Sequence, residues 1–151
     1  MKYEQLKLSN QVCFPVYAAS RLIIREYKPY LDKIGITYPQ YLVFLVLWET
    51  ENISVNEITD KLILNTNTIT PLLKRMEALG FISRKRSDSD ERKVIVRLTE
   101  KGRKLRKKAA SIPEMLAAEL KTAELTSADL AELRNKLNTL VEFLLEKNKP
   151  E

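Results

Sequence analysis

ITDKLILNTNTITPLLKRMEALGFISRKRSDSDERKVIVRLTEKG, the segment from Ile58 to Gly102, decides the fold of this chain. Its periodicity predicts a short helix, a longer helix ending near Gly80, and two paired strands with a charged tip. The longer helix begins with small polar residues, short enough to bring a helix N-terminus to base edges in a major groove: Asn65, Thr66, Asn67, Thr68 and Thr70. The hairpin carries donors suited to phosphate or a minor groove: Arg84, Lys85, Arg86, Arg92 and Lys93. A helix pair followed by a basic hairpin predicts a winged helix-turn-helix that binds DNA.

A different interpretation of the same segment is a protein-binding module, because helix pairs with a hairpin also occur there and charged runs are usually solvated faces. The order of the features favours DNA, since the polar residues stand at the helix entrance and the positive charge is concentrated in the hairpin. The formal net charge of +6 and the pI near 9.4 also favour a polyanionic partner.

The composition excludes several other classes of protein. The 151 residues suffice for one domain with one core. One cysteine and no histidine argue against a disulfide framework, a zinc finger and a Cys-His or Ser-His catalytic pair. We therefore expect neither an enzyme nor a protein with a cofactor or metal. The N-terminus lacks an apolar targeting segment and no apolar run could cross a bilayer, so we expect a cytoplasmic protein without membrane contact.

Capping residues, Gly and Pro predict a mostly helical fold with a small β-wing. The predicted helices run from Ser9 to about Lys33, from Thr37 to about Glu49, from Ser54 to Leu62, from Asn65 or Thr66 to Gly80, from Thr99 to an interruption at Pro113, and from Thr126 to about Lys147. The predicted strands are Phe81 to Lys85 and Val94 to Leu98.

The terminal helices carry apolar residues that a compact winged helix does not need. The last helix has a stripe at three- and four-residue spacing: Leu130, Leu133, Leu137, Leu140, Val141 and Leu144. Such helices could pack on their own domain, but we favour a homodimer, since two-fold symmetric DNA-binding proteins bury such helices against each other. We predict one domain, 1–151, with dimerisation helices in 1–35 and 100–148 and a DNA-binding lobe in 37–99.

The chain resembles the MarR family of winged-helix regulators over nearly its whole length. The wing segment Asp90-Glu91-Arg92, with Val94 to Thr99 and Gly102, carries this resemblance. It resembles more closely the one-cysteine organic hydroperoxide sensors of the OhrR type, through a further set of segments: Cys13-Phe14, Tyr17 to Arg21, Tyr27 to Pro29, Thr37 to Leu42, Leu47 to Glu49 and Thr70 to Glu77.

The resemblance implies that Cys13 is a peroxide-sensing thiol and that Tyr27 and Tyr38 donate hydrogen bonds to it. The start of a helix favours a thiolate, which fits this role, although a lone cysteine is usually a small buried hydrophobe. Tyr27 lies fourteen positions after Cys13, or about 21 Å along one helix. The Tyr27 that meets Cys13 must then belong to the other subunit, whereas Tyr17 is within local reach on the same helix face.

The DNA contacts expected from this fold divide into three groups. Thr66, Asn67, Thr68 and Thr70 are expected to approach base edges, and Lys74 and Arg75 to meet phosphate or base. From the wing, Arg92 is expected to enter the minor groove, with Asp90 orienting it through a salt bridge. Donors of the same hairpin complete the predicted interface: Arg84, Arg86 and Lys93.

The leading hypothesis is a homodimeric repressor that leaves its double-stranded, near-palindromic operator when organic hydroperoxide oxidises Cys13. With no second cysteine, the oxidised thiol could react with a small cellular thiol, another protein or the other subunit's cysteine, and the resemblance favours the small thiol. One alternative is a MarR-type regulator gated by a small aromatic or lipophilic ligand, with Cys13 structural. Another is a thiol peroxidase, which the absence of a resolving cysteine and of histidine disfavours.

Overall fold

The computed structural model describes residues 3–121 and 124–149 of the chain. The α-helices of these residues are α1 Cys13–Lys33, α2 Tyr38–Glu49, α3 Val55–Leu62, α4 Thr66–Ala78, α5 Glu100–Ala109, α6 Ile112–Leu120 and α7 Ser127–Lys147. The strands are β1 Ile53–Ser54, β2 Ile82–Arg86 and β3 Val94–Leu98. The mostly helical fold with a small wing is therefore confirmed.

The first helix begins three residues later than predicted, because its cap is Val12 and not Ser9. Ser9 lies in a short 3-10 turn, Leu8–Asn10, and Val12 occupies the N-cap position of α1. Pro15 is the third residue of α1, where its missing N–H removes no hydrogen bond of the helix ladder. The predicted start at Ser9 was wrong because Pro15, which is best tolerated in the first turn of a helix, delays the start of α1.

The predicted starts of α2, α3 and α7 at Thr37, Ser54 and Thr126 are confirmed, and each is a capping box. At the start of α3, the Ser54 backbone N–H donates to Glu57 at 2.9 Å, and the Glu57 N–H donates to Ser54 Oγ at 3.2 Å. At the start of α4, the Thr68 N–H donates to Asn65 Oδ1 at 3.0 Å, so Asn65 is the cap. The reciprocal bonds at Ser54 and the single cap at Asn65 fix where α3 and α4 begin.

The sheet has three antiparallel strands in the order β1-β3-β2, rather than the two that were predicted. The additional strand, β1, is only two residues long, too short to show alternation. β2 begins at Ile82, one residue later than predicted, because the Phe81 N–H donates to Met76 O at 3.0 Å. With Gly80 at φ +73°, this bond closes the end of α4.

The core lies among α2, α3, α4 and the sheet. The α2 residues Tyr41, Val43, Phe44, Val46 and Leu47 are buried, as expected for an apolar helix too short to span a membrane. Four apolar residues of α4 are buried with them: Ile69, Leu72, Leu73 and Met76. Leu79, which keeps the same spacing, is 46% exposed because the helix has already ended at Ala78.

The backbone separates into two compact units between Ile112 and Pro113. α5 ends at Ala109 and α6 begins at Ile112, so the interruption predicted near Pro113 is confirmed. The partition into a lobe at 37–99 and dimerisation segments at 1–35 and 100–148 stays a prediction, and residues 1, 2, 122, 123, 150 and 151 lie outside the described residues. Within 3–121 and 124–149, no helix is long and apolar enough to cross a membrane.

Candidate DNA interface and cysteine site

The entrance of α4 presents the polar residues expected to read bases. Thr66, Asn67 and Thr68 are exposed, while Thr70 is half-buried. The Thr68 hydroxyl donates to Asn65 Oδ1 at 2.9 Å, so this side chain also takes part in the cap. Lys74 and Arg75 are exposed further along the same helix. The entrance therefore offers hydroxyl and amide groups first and cations one to two turns later.

The wing tip holds the salt bridge that the sequence predicted. Arg92 Nε donates to Asp90 Oδ1 at 3.1 Å, and the Arg92 backbone N–H donates to the same oxygen at 3.1 Å. Hydrogen bonds from Arg92 lower the pKa of the Asp90 carboxyl below its ordinary value. The Arg92 side chain is 90% exposed, so the bridge orients the guanidinium without burying it.

Arg84 differs from the other cations predicted in the hairpin, because its guanidinium already has a partner. Its Nη2 lies 2.7 Å from Glu77 Oε2 in α4, and its side chain is only 21% exposed. Arg86 and Lys93 are exposed. A contact between Arg84 and DNA stays a prediction. The structure shows that Arg84 also forms an ion pair with Glu77 within the protein, which its charge alone did not indicate.

A cleft of about 220 Å³ lies between the start of α3, the start of α4 and the wing. Thr66 and Thr70 line it on the helix side, and Arg84, Arg92 and Lys93 line it on the wing side. Asn56 also lines the cleft and was not predicted. The sequence indicates where α3 begins but not that its first turn faces the wing. The structure thus brings predicted residues from two segments together around one basic opening.

Cys13 is exposed and is the first residue of α1. Tyr17 lies one turn further, where its hydroxyl accepts a hydrogen bond from Arg21 Nη1 at 2.8 Å. The position of Cys13 at the helix start is as predicted.

Tyr27 and Tyr38 lie side by side, with ring centroids 5.0 Å apart. Tyr41, which the sequence analysis missed, completes the cluster at 5.6 Å from Tyr27 and 6.4 Å from Tyr38. Burial raises the pKa of all three hydroxyls, that of Tyr41 to about 12, and the neighbouring tyrosines add to the shifts at Tyr27 and Tyr41. The hydroxyls therefore stay protonated near neutral pH and can donate hydrogen bonds.

The tyrosine cluster is far from the cysteine of its own chain. α1 is one helix from Cys13 to Lys33, so Tyr27 lies about 21 Å from Cys13 at roughly 1.5 Å per residue. Next to Tyr38, a groove of about 500 Å³ is lined by apolar residues such as Ile24 and Ile36, by three cations and by the carboxylate of Asp32, which pairs with Lys28. These cations are Arg21, Arg25 and Lys28.

The helix pair α3 and α4, followed by the basic antiparallel wing of β2 and β3, defines a DNA-binding protein of the winged helix-turn-helix class. Residues 25–109 match the family model described as transcriptional regulator SarA/Rot. With the relatives below, the chain belongs to the MarR and SarA/Rot group of winged-helix transcriptional regulators, which confirms the resemblance seen in its sequence. It is a regulator that binds double-stranded DNA, not an enzyme.

The chain is 48% identical over 147 residues to the organic hydroperoxide resistance transcriptional regulator of Bacillus subtilis (strain 168), covering 97% of this chain and 98% of that protein. Among solved structures, reduced AbfR bound to DNA has a TM-score of 0.77 and 37% identity, with 96% of this chain and 99% of that chain covered. Overoxidized AbfR bound to DNA has a TM-score of 0.75 and 36% identity, with 95% and 99% covered.

Proposed function

We propose that this chain forms a homodimeric repressor that senses organic hydroperoxides through Cys13 and then releases its operator. The observation that carries the proposal is the Tyr27–Tyr38 pair, with ring centroids 5.0 Å apart and hydroxyls that stay protonated. Similarity to a hydroperoxide resistance regulator, and to AbfR in reduced and overoxidized states, supports it. A cytoplasmic location, where such a protein meets DNA, is part of the proposal.

The proposed sensor is composite. Because about 21 Å separates Cys13 from Tyr27 in one chain, the thiol of one subunit meets the tyrosine pair of the other, with the two α1 helices antiparallel. The exposed apolar residues near the start of α1 supply the surface for this contact: Val12 is 81% exposed, Val16 44% and Leu22 50%. Oxidation at Cys13 then acts directly on the dimer interface.

The proposed chemistry has two steps. The Cys13 thiolate attacks the terminal peroxide oxygen, the O–O bond breaks, and the alkoxide leaves as the alcohol after taking up a proton, so that the sulfur becomes a sulfenic acid. A small cellular thiol then attacks this sulfur, forming a mixed disulfide and releasing water. The tyrosine hydroxyls stabilise the thiolate by donating hydrogen bonds to it. The bulk of the adduct shifts the dimer away from the spacing that DNA requires.

On DNA, the proposed dimer places one α4 entrance in each of two major grooves, about one helical turn apart. Thr66, Asn67, Thr68 and Thr70 approach base edges, and Lys74 and Arg75 meet phosphate or base. The wing places Arg92, held by Asp90, in the minor groove. Arg84, Arg86 and Lys93 contribute positive charge around it. Two-fold symmetry makes the operator near-palindromic.

The deciding experiment is a DNA-binding titration before and after stoichiometric organic hydroperoxide, with and without a small thiol. We expect Cys13→Ser to keep the affinity for the operator and to lose release by peroxide. Mass spectrometry of the wild-type protein should show the thiol adduct on the peptide containing Cys13. Ser111→Ala, an exposed hydroxyl change in the turn before α6, serves as a control. Release by peroxide that persists in Cys13→Ser would contradict the mechanism.

A second candidate is gating by an aromatic or lipophilic ligand. The groove beside Tyr38 favours it, because its apolar residues suit an aromatic or lipophilic molecule, and Arg21 and Arg25 add positive charge beyond the Lys28–Asp32 pair. In that case Ile24→Trp, which fills the groove, would abolish release by the ligand, and Cys13→Ser would leave it unchanged. The two variants together separate the two triggers.

A further inference from the structure

The C-terminal part of α4 is held to β2 by one carboxylate, that of Glu77. Its Oε1 accepts a hydrogen bond from the Arg84 backbone N–H at 2.8 Å. Its Oε2 accepts from Arg84 Nε at 3.0 Å and from Nη2 at 2.7 Å. Glu77 therefore fixes both the main chain and the side chain of the third residue of β2. We call these three bonds the helix–wing clamp.

The clamp differs from the salt bridges that lie within one helix. Lys28–Asp32 and Lys104–Glu100 join neighbouring turns of one helix, and their side chains are at least 58% exposed. The side chains of the clamp are 21% and 36% exposed, and a guanidinium held by two of its N–H groups is fixed in direction as well as distance. Charge-assisted bonds in such a partly shielded place are stronger than those of solvent-exposed pairs.

The clamp lies between the two parts of the proposed DNA interface. The chain passes from α4 to β2 through only Leu79, Gly80 and Phe81, so the direction of the wing depends on what holds β2 against α4. Beyond the clamp, β2 pairs with β3 from Arg84–Val96 to Arg86–Val94, and the tip carrying Arg92 follows. A small rotation at the clamp therefore becomes a larger displacement at the tip.

We propose that Glu77 is a positioning residue for DNA binding, which sets the angle between the recognition helix in the major groove and the wing in the minor groove. The inference rests on the proposed placement of Arg92 in the minor groove. It assigns a function in DNA binding to an acidic residue that DNA itself repels.

The sign of the effect distinguishes positioning from simple electrostatics. Removing a negative charge from a DNA-binding face raises the local positive potential and should tighten binding. Loss of the clamp instead lets the wing move, so that Arg92 reaches the minor groove at an entropic cost. We therefore expect Glu77→Ala to weaken operator binding about tenfold. Glu77→Gln, which keeps an oxygen for the Arg84 backbone N–H, should weaken it less.

The test is a double-mutant cycle between Glu77→Ala and Arg92→Ala, read as operator dissociation constants at one fixed salt concentration. Arg92→Ala alone should weaken binding by about 5- to 150-fold if it makes a good groove contact. In the Glu77→Ala background this loss should shrink to about two- to threefold. Hydroxyl-radical footprinting should show weaker minor-groove protection, with protection at the major groove retained.

Glu51→Gln is the matched control, because Glu51 also pairs with an arginine of another element, Arg103, at 3.1 Å, away from the α4 entrance and the wing. It should leave the dissociation constant unchanged. If Arg92→Ala has no effect in the wild-type protein, the proposed wing contact is wrong and the clamp proposal is overturned with it. If Arg92→Ala has the same effect in both backgrounds, or Glu77→Ala tightens binding, only the clamp proposal is overturned. If Glu77→Ala does not fold, the double-mutant cycle is measured with Glu77→Gln and interpreted in the same way.

Discussion

The predicted DNA-binding lobe, α2 to β3, and the terminal helix α7 bury their apolar residues to very different extents. In the lobe, Phe44, Leu47, Ile58, Ile69 and Leu73 are each 0% exposed. In α7, which the structure describes in full, no residue is buried, and apolar side chains of the helix are 39–61% exposed: Leu133, Leu140, Val141, Phe143, Leu144 and Leu145. Both segments have regular capping and helical spacing, so the difference is one of packing partners.

The apolar residues of the lobe are covered within one chain, whereas many of those in the terminal helices stay exposed. Exposed apolar area costs roughly 25 cal/mol per Å², and a contiguous apolar face is typical of an interface. α1 has the same character, since of its 21 residues only Leu31 is buried. The proposed homodimer would cover the exposed apolar residues of both helices.

The largest effect is expected from removing α7. Deleting the residues after Ser127 should give a monomer or an insoluble chain, because the dimer loses a major part of its apolar surface. Operator binding should fall to that of an isolated half-site or be lost. Sedimentation measurements and DNA titration check both outcomes. A truncated protein that stays dimeric and binds normally would refute the assignment of α7 to the interface.

A milder change tests the same surface without shortening the chain. Leu140→Glu places a charge in the apolar stripe and should shift the protein toward monomer. Asn138→Glu adds the same charge on an exposed polar position of α7 and should leave the dimer intact. Equal behaviour of the two variants would mean that the stripe is not an interface.

The second-largest effect is expected at the contact between α5 and the lobe, and it is a loss of stability. A Cβ added at Gly102 would lie 2.2 Å from Phe81 O, a backbone atom that cannot move aside cheaply. We expect Gly102→Ala to lower the free energy of unfolding by about 1–3 kcal/mol despite the better helix propensity of Ala. Thermal unfolding measures this loss.

Arg106→Ala, on the exposed side of the same helix, should change the free energy of unfolding by less than about 0.5 kcal/mol. A Gly102→Ala protein as stable as Arg106→Ala would show that α5 can move away from Phe81 at little cost.

Local signals predicted the lobe well because its boundaries depend on neighbouring residues. The Ser54–Glu57 box, the Asn65 cap and Gly80 each satisfy backbone groups within a few positions of themselves, so sequence spacing is enough to find them. The wing salt bridge between Asp90 and Arg92 was predictable for the same reason.

The features that the sequence did not reveal depend on contacts between distant segments. β1 exists only because Ile53 and Ser54 pair with Val96 and Ile95 more than forty residues later. Tyr41 joins the tyrosine cluster through packing of α2 on α1, and its apolar neighbours make it look like any core residue. Arg84 was expected to face DNA, and only the position of Glu77 shows what holds it.

The third effect concerns the tyrosine cluster. Tyr38→Phe should slow the reaction of Cys13 with peroxide about tenfold, since a hydrogen bond to a charged group contributes roughly 1.5–3 kcal/mol and part of it is kept by Tyr27. Operator affinity before oxidation should not change. Stopped-flow kinetics of sulfenic acid formation measures the rate.

Tyr41→Phe serves as the control, because Tyr41 is 2% exposed and packs behind the pair. Its rate should match that of the wild-type protein. If Tyr41→Phe slows the reaction and Tyr38→Phe does not, the donor has been assigned to the wrong ring.

The smallest effect is the pH dependence of the helix–wing clamp. Hydrogen bonds from Arg84 lower the pKa of Glu77 below its ordinary value. A carboxylate with a lowered pKa in the folded state stabilises the fold at pH above its ordinary value, about 4.3, and this contribution is lost as the pH falls through the folded pKa. The wild-type protein should therefore be more stable than Glu77→Gln at pH 6–7, by less than about 1 kcal/mol because the pair is partly exposed. The difference should narrow below about pH 4. Urea unfolding of both proteins across this range measures it, and a difference that stays constant down to pH 3 would show that the Glu77 charge contributes nothing to the lobe.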